Sequence, residues 1–323
     1  MWEEKAMKKF LLTILLFVCC VALLTMGINA VYIRQDRRDR YYTDRFRNIP
    51  DAVTVCNVGS SHGYYSFNYE ELQERGEQCF NFAFSAQFPS YDLVMLQHFG
   101  EHLAPGCLVF IPLSDYLLFG GGLEEDADFL AINRRYYKIF FRKEIKQYDP
   151  WTDFLVNKMP VLDAGEDLLR GMEGKLVLDH SEWDRTADDI DLEGDLQYSF
   201  DRHFVKGKRD AKGNLIYNQE EIEAVYSMIS LCNAKGWRPI LVTTPLLKEY
   251  SERARQDGSD QLEAFYRLVE QITEETNTPY FDYSLDKRFA NDHGLFMDGD
   301  HLNRNGARIF TDILLKDVKE IHD

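Results

Sequence analysis

Five short apolar runs recur along the chain at intervals too long for hairpins, and this spacing constrains the fold more than any other feature. They are Val53–Val58, Cys79–Phe84, Leu108–Ile111, Ile240–Thr243 and Tyr280–Asp282. Each is nearly continuous in apolar residues, where a half-solvated strand would alternate. Strands of that kind are buried on both faces, which is the condition of a parallel sheet covered by helices. Segments with helical spacing lie between or after them: Tyr91–Phe99, Glu220–Lys235, Gln261–Asn277 and Asn303–Val318. Lys235-Gly236 supplies a helix stop before the run at Ile240. The pattern predicts an α/β, doubly wound, mainly parallel sheet flanked by helices. In such sheets ligands sit at the carboxyl ends of the strands, where Ser61, Ser114 and Thr244 fall.

Two segments far apart carry the chemistry. Gly59-Ser60-Ser61-His62 directly follows the first apolar run, and Asp298-Gly299-Asp300-His301-Leu302-Asn303 lies near the C-terminus. A small-residue turn after a strand can hold a serine hydroxyl at the open end of a sheet. An Asp three residues before a His can put a carboxylate and an imidazole on one tight loop. Together they supply a nucleophile, a base and an orienting acid for acyl transfer. Each residue also has a plainer reading. Ser60 and Ser61 are favoured helix caps. Asp300 is expected to cap or charge the start of the last helix, and His62 to be a structural or pocket-wall residue. His293 reads as a surface-loop histidine. Asp92 and Asp115 read as caps or solvated carboxylates.

Gly59-Ser60-Ser61 resembles the Gly-Asp-Ser block of SGNH (GDSL-type) hydrolases, and Asp298-x-x-His301 resembles their C-terminal block. Gly-Ser-Ser in place of Gly-Asp-Ser resembles in particular the D-alanine-transfer proteins of teichoic-acid alanylation and related envelope O-acyltransferases, though His62 stands where that subgroup has Glu. The resemblance covers roughly residues 50 to 320 and implies a flavodoxin-like three-layer domain. It implies Ser61 as nucleophile, His301 as base and Asp298 as its orienter. Asn81-Phe82-Ala83-Phe84-Ser85-Ala86 is similar to the second block, with Ala86 where a Gly usually gives an oxyanion-hole N–H. Pro112-Leu113-Ser114-Asp115 is similar to the third, with Ser114 in place of the oxyanion Asn. The expected activity is a serine acyl esterase or acyltransferase with no cofactor or metal, acting on an acylated carbohydrate or teichoic-acid-like polymer. A membrane-bound O-acyltransferase is the partner that the resemblance implies. A secreted carbohydrate or lipid esterase, and a non-catalytic scaffold subunit of an acylation complex, are the alternatives; Ala86 and Ser114 are the residues that favour the scaffold.

The N-terminus adds an anchor. Phe10 to Ile28 is apolar and uncharged, with Lys5, Lys8 and Lys9 before it. About 20 such residues cross a bilayer core of roughly 30 Å. Asn29-Ala30 is a mediocre cleavage site, so an uncleaved signal anchor over residues 10–30 is expected, after a cytoplasmic tail of residues 1–9. Arg34, Arg37, Arg38, Arg40, Arg45 and Arg47 lie in the juxtamembrane segment, residues 31–50. By the positive-inside rule alone they would keep the C-terminal side of the span in the cytoplasm. The short N-terminal tail and the family resemblance imply the opposite, a domain over 51–323 outside the cell membrane.

The formal net charge of −17 argues against nucleic acid as a partner. No Cys-x-x-Cys pair suggests zinc or redox chemistry. Cys56, Cys79, Cys107 and Cys232 read as buried free thiols. Residues 120–218, beginning at Gly120-Gly121-Gly122, interrupt the strand–helix alternation and read as an insertion at the active-site end. Within it Phe129 to Tyr148 reads as one or two helices, with Tyr136, Tyr137, Phe140 and Phe141 in its own core. Lys212-Gly213-Asn214 reads as a hairpin turn between Phe204 and Ile216.

Overall fold

The computed structural model describes residues 2–36, 43–119, 129–176, 181–189 and 191–320. Arg37, Arg38, Asp39, Arg40 and the Gly120-Gly121-Gly122 run lie outside the described residues. The chain divides into two compact units, Met1–Asn48 with Leu130–Asp179, and Ile49–Phe129 with His180–Asp323.

The first unit is built on helix α1 (Trp2–Gln35). Its Lys5–Gln35 stretch is long and apolar enough to cross a membrane, and none of its most apolar part is buried. Just past that part, Asn29 is buried: its Nδ2 donates to the Lys158 carbonyl at 2.7 Å and its Oδ1 accepts from the Val161 amide at 3.2 Å. The aromatic stretch from Phe129, expected as a helix or two, forms a short α-helix, Phe129–Arg134, followed by two 3-10 turns, Arg135–Lys138 and Arg142–Glu144. Its bulky β-branched and aromatic side chains favour packing over helix extension. Tyr136 and Phe140 are buried and stacked with centroids 5.4 Å apart, and Tyr137 is buried. Phe141, expected in that core, is 65 % exposed.

The second unit holds one five-stranded sheet. Its strands are β1 (Val53–Asn57), β2 (Cys79–Asn81), β3 (Leu103–Pro112), β4 (Arg238–Thr243) and β5 (Tyr280–Asp282). The order is β2-β1-β3-β4-β5, and every pair is parallel. The helices between and after the strands are α2 (Ser61–Ser66), α3 (Glu70–Glu74), α4 (Pro89–Phe99), α5 (Asp115–Leu118), α6 (Leu192–His203), α7 (Gln219–Lys235), α8 (Lys248–Thr276) and α9 (Arg304–Glu320). α7 ends at Gly236 with φ 72°, the stop read from the sequence. The hairpin is present in short form: Arg209 pairs with Leu215 around Gly213.

Alternate strand residues serve the two faces. Val55, Phe110, Ile240 and Val242 join Phe310, Leu314 and Val318 of α9 in one core cluster. Cys56 and Cys107 point the other way, with their Sγ atoms 3.9 Å apart. Cys56, Cys79, Cys107 and Cys232 are all buried and unpaired. Burial pushes the Cys79 and Cys232 thiols up to about 12. Phe67, just beyond α2, packs on Phe110 at 5.5 Å and on Phe310 at 5.6 Å. Burying each such ring stabilises by about 1.5–3 kcal/mol. The serine-bearing helix is thereby pinned to the sheet.

The order β2-β1-β3 places the topological switch between β1 and β3, because β1 continues outward to β2 and β3 to β4. In open parallel sheets of this kind that is where a crevice opens at the strand carboxyl ends. Ser61 follows β1 and Ser114 follows β3, so both face that crevice from its two sides.

Candidate active site

The turn after β1 is fixed by a buried polar frame. Gly59 has φ 120°, a conformation few other residues adopt, and its amide donates to Asp92 Oδ1 at 2.7 Å. Asp92 also accepts from Gln87 Nε2 at 2.6 Å and is 1 % exposed. It is neither the solvated carboxylate nor the cap expected of it; Phe88 occupies the cap position of α4. A buried acid is tolerated because two donors satisfy it. Gly63 presses on the Val58 carbonyl oxygen so closely that a Cβ would collide with it. Asn57 Nδ2 and Asn81 Nδ2 both donate to the Gly63 carbonyl, at 2.9 and 3.1 Å, and the Tyr69 hydroxyl donates to Asn57 Oδ1 at 3.0 Å. These bonds set where α2 begins.

Ser60 sits at the cap position of α2 but its side chain makes no cap hydrogen bond, so capping does not account for it. It is 1 % exposed. Ser61 is the first helical residue and is partly exposed. Burial raises the pKa of the Tyr116 phenol on the helix after β3.

The C-terminal segment forms a tight loop. The Met297 amide donates to the His301 carbonyl at 3.0 Å, and Phe296 and Leu302 pair in antiparallel fashion. Inside the loop Asp298 Oδ1 accepts from the amides of Asp300 and His301, at 3.0 and 2.8 Å. Asp298 Oδ2 lies 2.9 Å from His301 Nδ1. An aspartate that satisfies two backbone donors two and three residues on is held in one rotamer. It then fixes the imidazole. The loop is itself tied down from both sides: the Gly299 amide donates to Ser199 Oγ at 2.7 Å, and the Gly299 carbonyl accepts from the Leu247 amide at 3.1 Å.

The His301 ring meets α2 directly. It lies edge-on to Tyr65 with centroids 5.5 Å apart and beside His62 at 5.2 Å. Tyr65 is one helical turn from Ser61, so the two share a face of α2. With Nδ1 on Asp298, Nε2 is the nitrogen left for a proton from outside the pair.

Ala86 has φ 53° in the turn closed by the Gln87 amide on the Phe84 carbonyl at 3.1 Å. That left-handed conformation is one a glycine adopts freely and an alanine adopts at a cost of about 1–2 kcal/mol. The Ala86 backbone therefore keeps the local course expected of a glycine at this position. Ser114 is 7 % exposed and its Oγ lies 2.7 Å from His62 Nδ1. Asp115, expected as a cap or solvated carboxylate, instead accepts from Gln261 Nε2 at 2.6 Å. Burial raises its pKa, against the lowering effect of that bond.

Asp300 and His203 carry more weight than the sequence suggests. Asp300 does not cap the last helix; the Asn303 side chain does, accepting from the Gly306 amide at 2.9 Å. Asp300 is 2 % exposed. Its Oδ1 lies 2.8 Å from His203 Nδ1 and its Oδ2 3.3 Å from His62 Nε2. Burial alone would raise its carboxyl, but the nearby His301 charge and the bonds from His203 and His62 outweigh it and hold the group well below the ordinary carboxylate range. His203, the last residue of α6, is absent from the residues that the sequence marks as functional. Its contact with Asp300 spans 97 residues, and no local pattern announces it. One donor atom each from His203, Asp298, Asp300 and His301 lies within 4.8 Å of the others, a grouping that could hold a metal ion. The hydrogen bonds among these groups already engage them with one another.

No family model matches the chain, and no curated protein matches it. Several solved structures are similar in chain course. One is designated an acylhydrolase, from Bacteroides fragilis: it is 11 % identical, with 87 % of this chain and 96 % of that one covered, at a TM-score of 0.42. Another is a GDSL-like lipase from Bacteroides thetaiotaomicron, 12 % identical, covering 88 % and 98 %, at 0.39. A third is a catalytic mutant of an acetylxylan esterase from Geobacillus stearothermophilus, 12 % identical, covering 83 % and 94 %, at 0.38. At these scores nothing about the function of this chain rests on the similarity.

Proposed function

We propose that this chain is an SGNH-type serine acyl esterase or acyltransferase, anchored in the cell membrane by α1, with its active site outside. Its substrate is an acylated carbohydrate or teichoic-acid-like polymer of the cell envelope. The observation that carries the reading is the His301–Asp298 pair at 2.9 Å, on a loop packed against the face of α2 that begins with Ser61. The switch-point position of Ser61 supports it as well.

In the proposed reaction Ser61 Oγ attacks the carbonyl carbon of an ester and His301 Nε2 takes its proton. Asp298 keeps the other ring nitrogen protonated and stabilises the imidazolium. The Ser61 and Ala86 amides receive the oxyanion, and loss of one such donor typically costs about 10²- to 10³-fold. Ser114 can add a third donor only while its hydroxyl proton is not given to His62. The leaving alcohol takes the proton from His301, and the acyl-Ser61 ester then passes to water or to a carbohydrate hydroxyl. A membrane-bound O-acyltransferase that delivers the acyl group across the membrane is the partner this reading calls for.

Two measurements test the reading. Hydrolysis of a small acetyl ester by the purified chain should fall to a small residual rate in Ser61→Ala and be largely kept in Ser60→Ala; equal loss in both folded variants would reassign the nucleophile. In intact protoplasts external protease should digest residues 50 to 323. Protection would place the domain in the cytoplasm and remove the envelope polymer as substrate.

A further inference from the structure

Once Ser61, His301 and Asp298 have roles, a second set of the same three groups remains in the pocket. Ser114 Oγ lies 2.7 Å from His62 Nδ1, and His62 Nε2 lies 3.3 Å from Asp300 Oδ2. Asp300 is almost wholly buried, and its other oxygen is taken by His203 Nδ1 at 2.8 Å. An ionised carboxylate only accepts hydrogen bonds, so each imidazole nitrogen facing it carries the proton. A neutral His62 then has its lone pair on Nδ1, and Ser114 donates to it. The result is hydroxyl to imidazole to carboxylate, the arrangement that activates a serine.

The two histidines use their rings in opposite senses. His301 turns Nδ1 to its carboxylate, while His62 turns Nε2 to Asp300 and Nδ1 to Ser114. Their centroids are 5.2 Å apart, so the two arrays open into one space. His203 edges the His301 ring at 4.7 Å and braces Asp300 from the side away from His62.

We propose that Ser114, His62 and Asp300 form a second acyl-accepting triad in the same pocket as Ser61. The proposal rests on the acyl-transfer reading above and deepens it: the pocket handles a carboxylic ester at two serines. Ser114 Oγ attacks the ester carbonyl carbon, and His62 Nδ1 takes the Ser114 proton. The bond from the acyl carbon to the leaving oxygen breaks, and His62 returns the same proton to that oxygen. The leaving oxygen belongs either to the donor alcohol or to Ser61 of an acyl-Ser61 ester. In the second case the group moves from the serine after β1 to the serine after β3, across the switch point.

The test uses the full chain in detergent, a fluorophosphonate ester as probe, and peptide mass spectrometry to locate the adduct. In Ser61→Ala the adduct is expected on Ser114. Adding His62→Gln should slow that labelling about 100-fold, within the usual contribution of a general base. His62 is partly exposed, so the folded state should tolerate the change, and a circular dichroism melt checks it. Labelling of Ser61 in the wild type with none on Ser114 in Ser61→Ala would overturn the second triad and leave the first standing. Unchanged Ser114 labelling after His62→Gln would overturn it too. A wild type labelled on Ser114 alone would support the second triad and sink Ser61 as the nucleophile. A wild type labelled on neither serine would overturn both.

Discussion

Replacing Asp298 by Asn changes one atom and alters what His301 can do. Asp298 Oδ1 accepts the Asp300 and His301 amides at 3.0 and 2.8 Å, and Oδ2 faces His301 Nδ1 at 2.9 Å. An asparagine carbonyl can keep both backbone bonds, so the loop keeps its shape. Its NH₂ group then faces Nδ1, and a donor cannot face an N–H. The ring responds by placing its proton on Nε2, the atom that has to receive the Ser61 proton. Asp300 Oδ1 is 3.6 Å from the same Nδ1, too far to restore the tautomer without movement. A wrong tautomer in an array of this kind costs about 10⁴-fold in kcat. At 1.36 kcal/mol per decade that is about 5.4 kcal/mol of transition-state stabilisation. Folding stability should fall far less, by about 1.5–3 kcal/mol at most, the worth of one hydrogen bond to a charged group. The assay is the initial rate of acetyl-ester hydrolysis by wild type and Asp298→Asn, with denaturant melts of both. A fall of less than about tenfold in a folded variant would refute the assignment of Asp298 as the orienting acid.

Gly63→Ala forces a Cβ against the Val58 carbonyl and should destabilise the fold by about 1–3 kcal/mol, read as a lower denaturation midpoint; an unchanged midpoint would contradict the close approach. Asp300 has a lowered carboxyl pKa in the folded state, so its stabilising effect is complete above the unfolded value near 3.9 and is lost as pH falls below it. Acid unfolding followed between about pH 5 and 2 should therefore be less steep in Asp300→Asn than in the wild type, and an identical slope would contradict the ionised, histidine-bound carboxylate. Cys56, Cys79, Cys107 and Cys232 are buried, and burial holds the thiols of Cys56, Cys79 and Cys232 high, so iodoacetamide at pH 8 should alkylate none of the four until denaturant is added. Prompt labelling of the native protein would show that the core around the sheet is open.

The parallel sheet was legible because strands buried on both faces read as unbroken apolar runs, and β5 occupies the very residues expected of it. The start of β3 was hidden. The strand expected from Leu108 begins at Leu103 and runs through Pro105 and Gly106, with Gly106 at φ 79° and a shifted register opposite Val53 and Val55. The helix expected from Gln261 is the second piece of α8, which follows a break in helical conformation at Gly258 (φ −146°, ψ 37°); the first piece, from Lys248, was not read from the sequence. In the site, Asp298 and His301 could be paired from sequence because three residues on one loop bring them together. Asp300 meets His62 across 238 residues and His203 across 97. Such contacts are set by the tertiary fold, and neighbours in sequence carry no trace of them. The position of His62 next to Ser61, at the start of a helix aimed into the crevice, was the one available signal.

Ser61 as the acyl-bearing atom is the central claim, and trapping the acyl-enzyme tests it most directly. The full chain is mixed with an acetyl ester, quenched in acid within the first turnover and digested for mass spectrometry. The predicted result is an acetyl group on Ser61 that is absent in Ser61→Ala and accumulates further when deacylation is slowed by removing the acceptor. An acetyl group on Ser60, or a turnover that proceeds with no acylated peptide in the 59–66 segment, would contradict it.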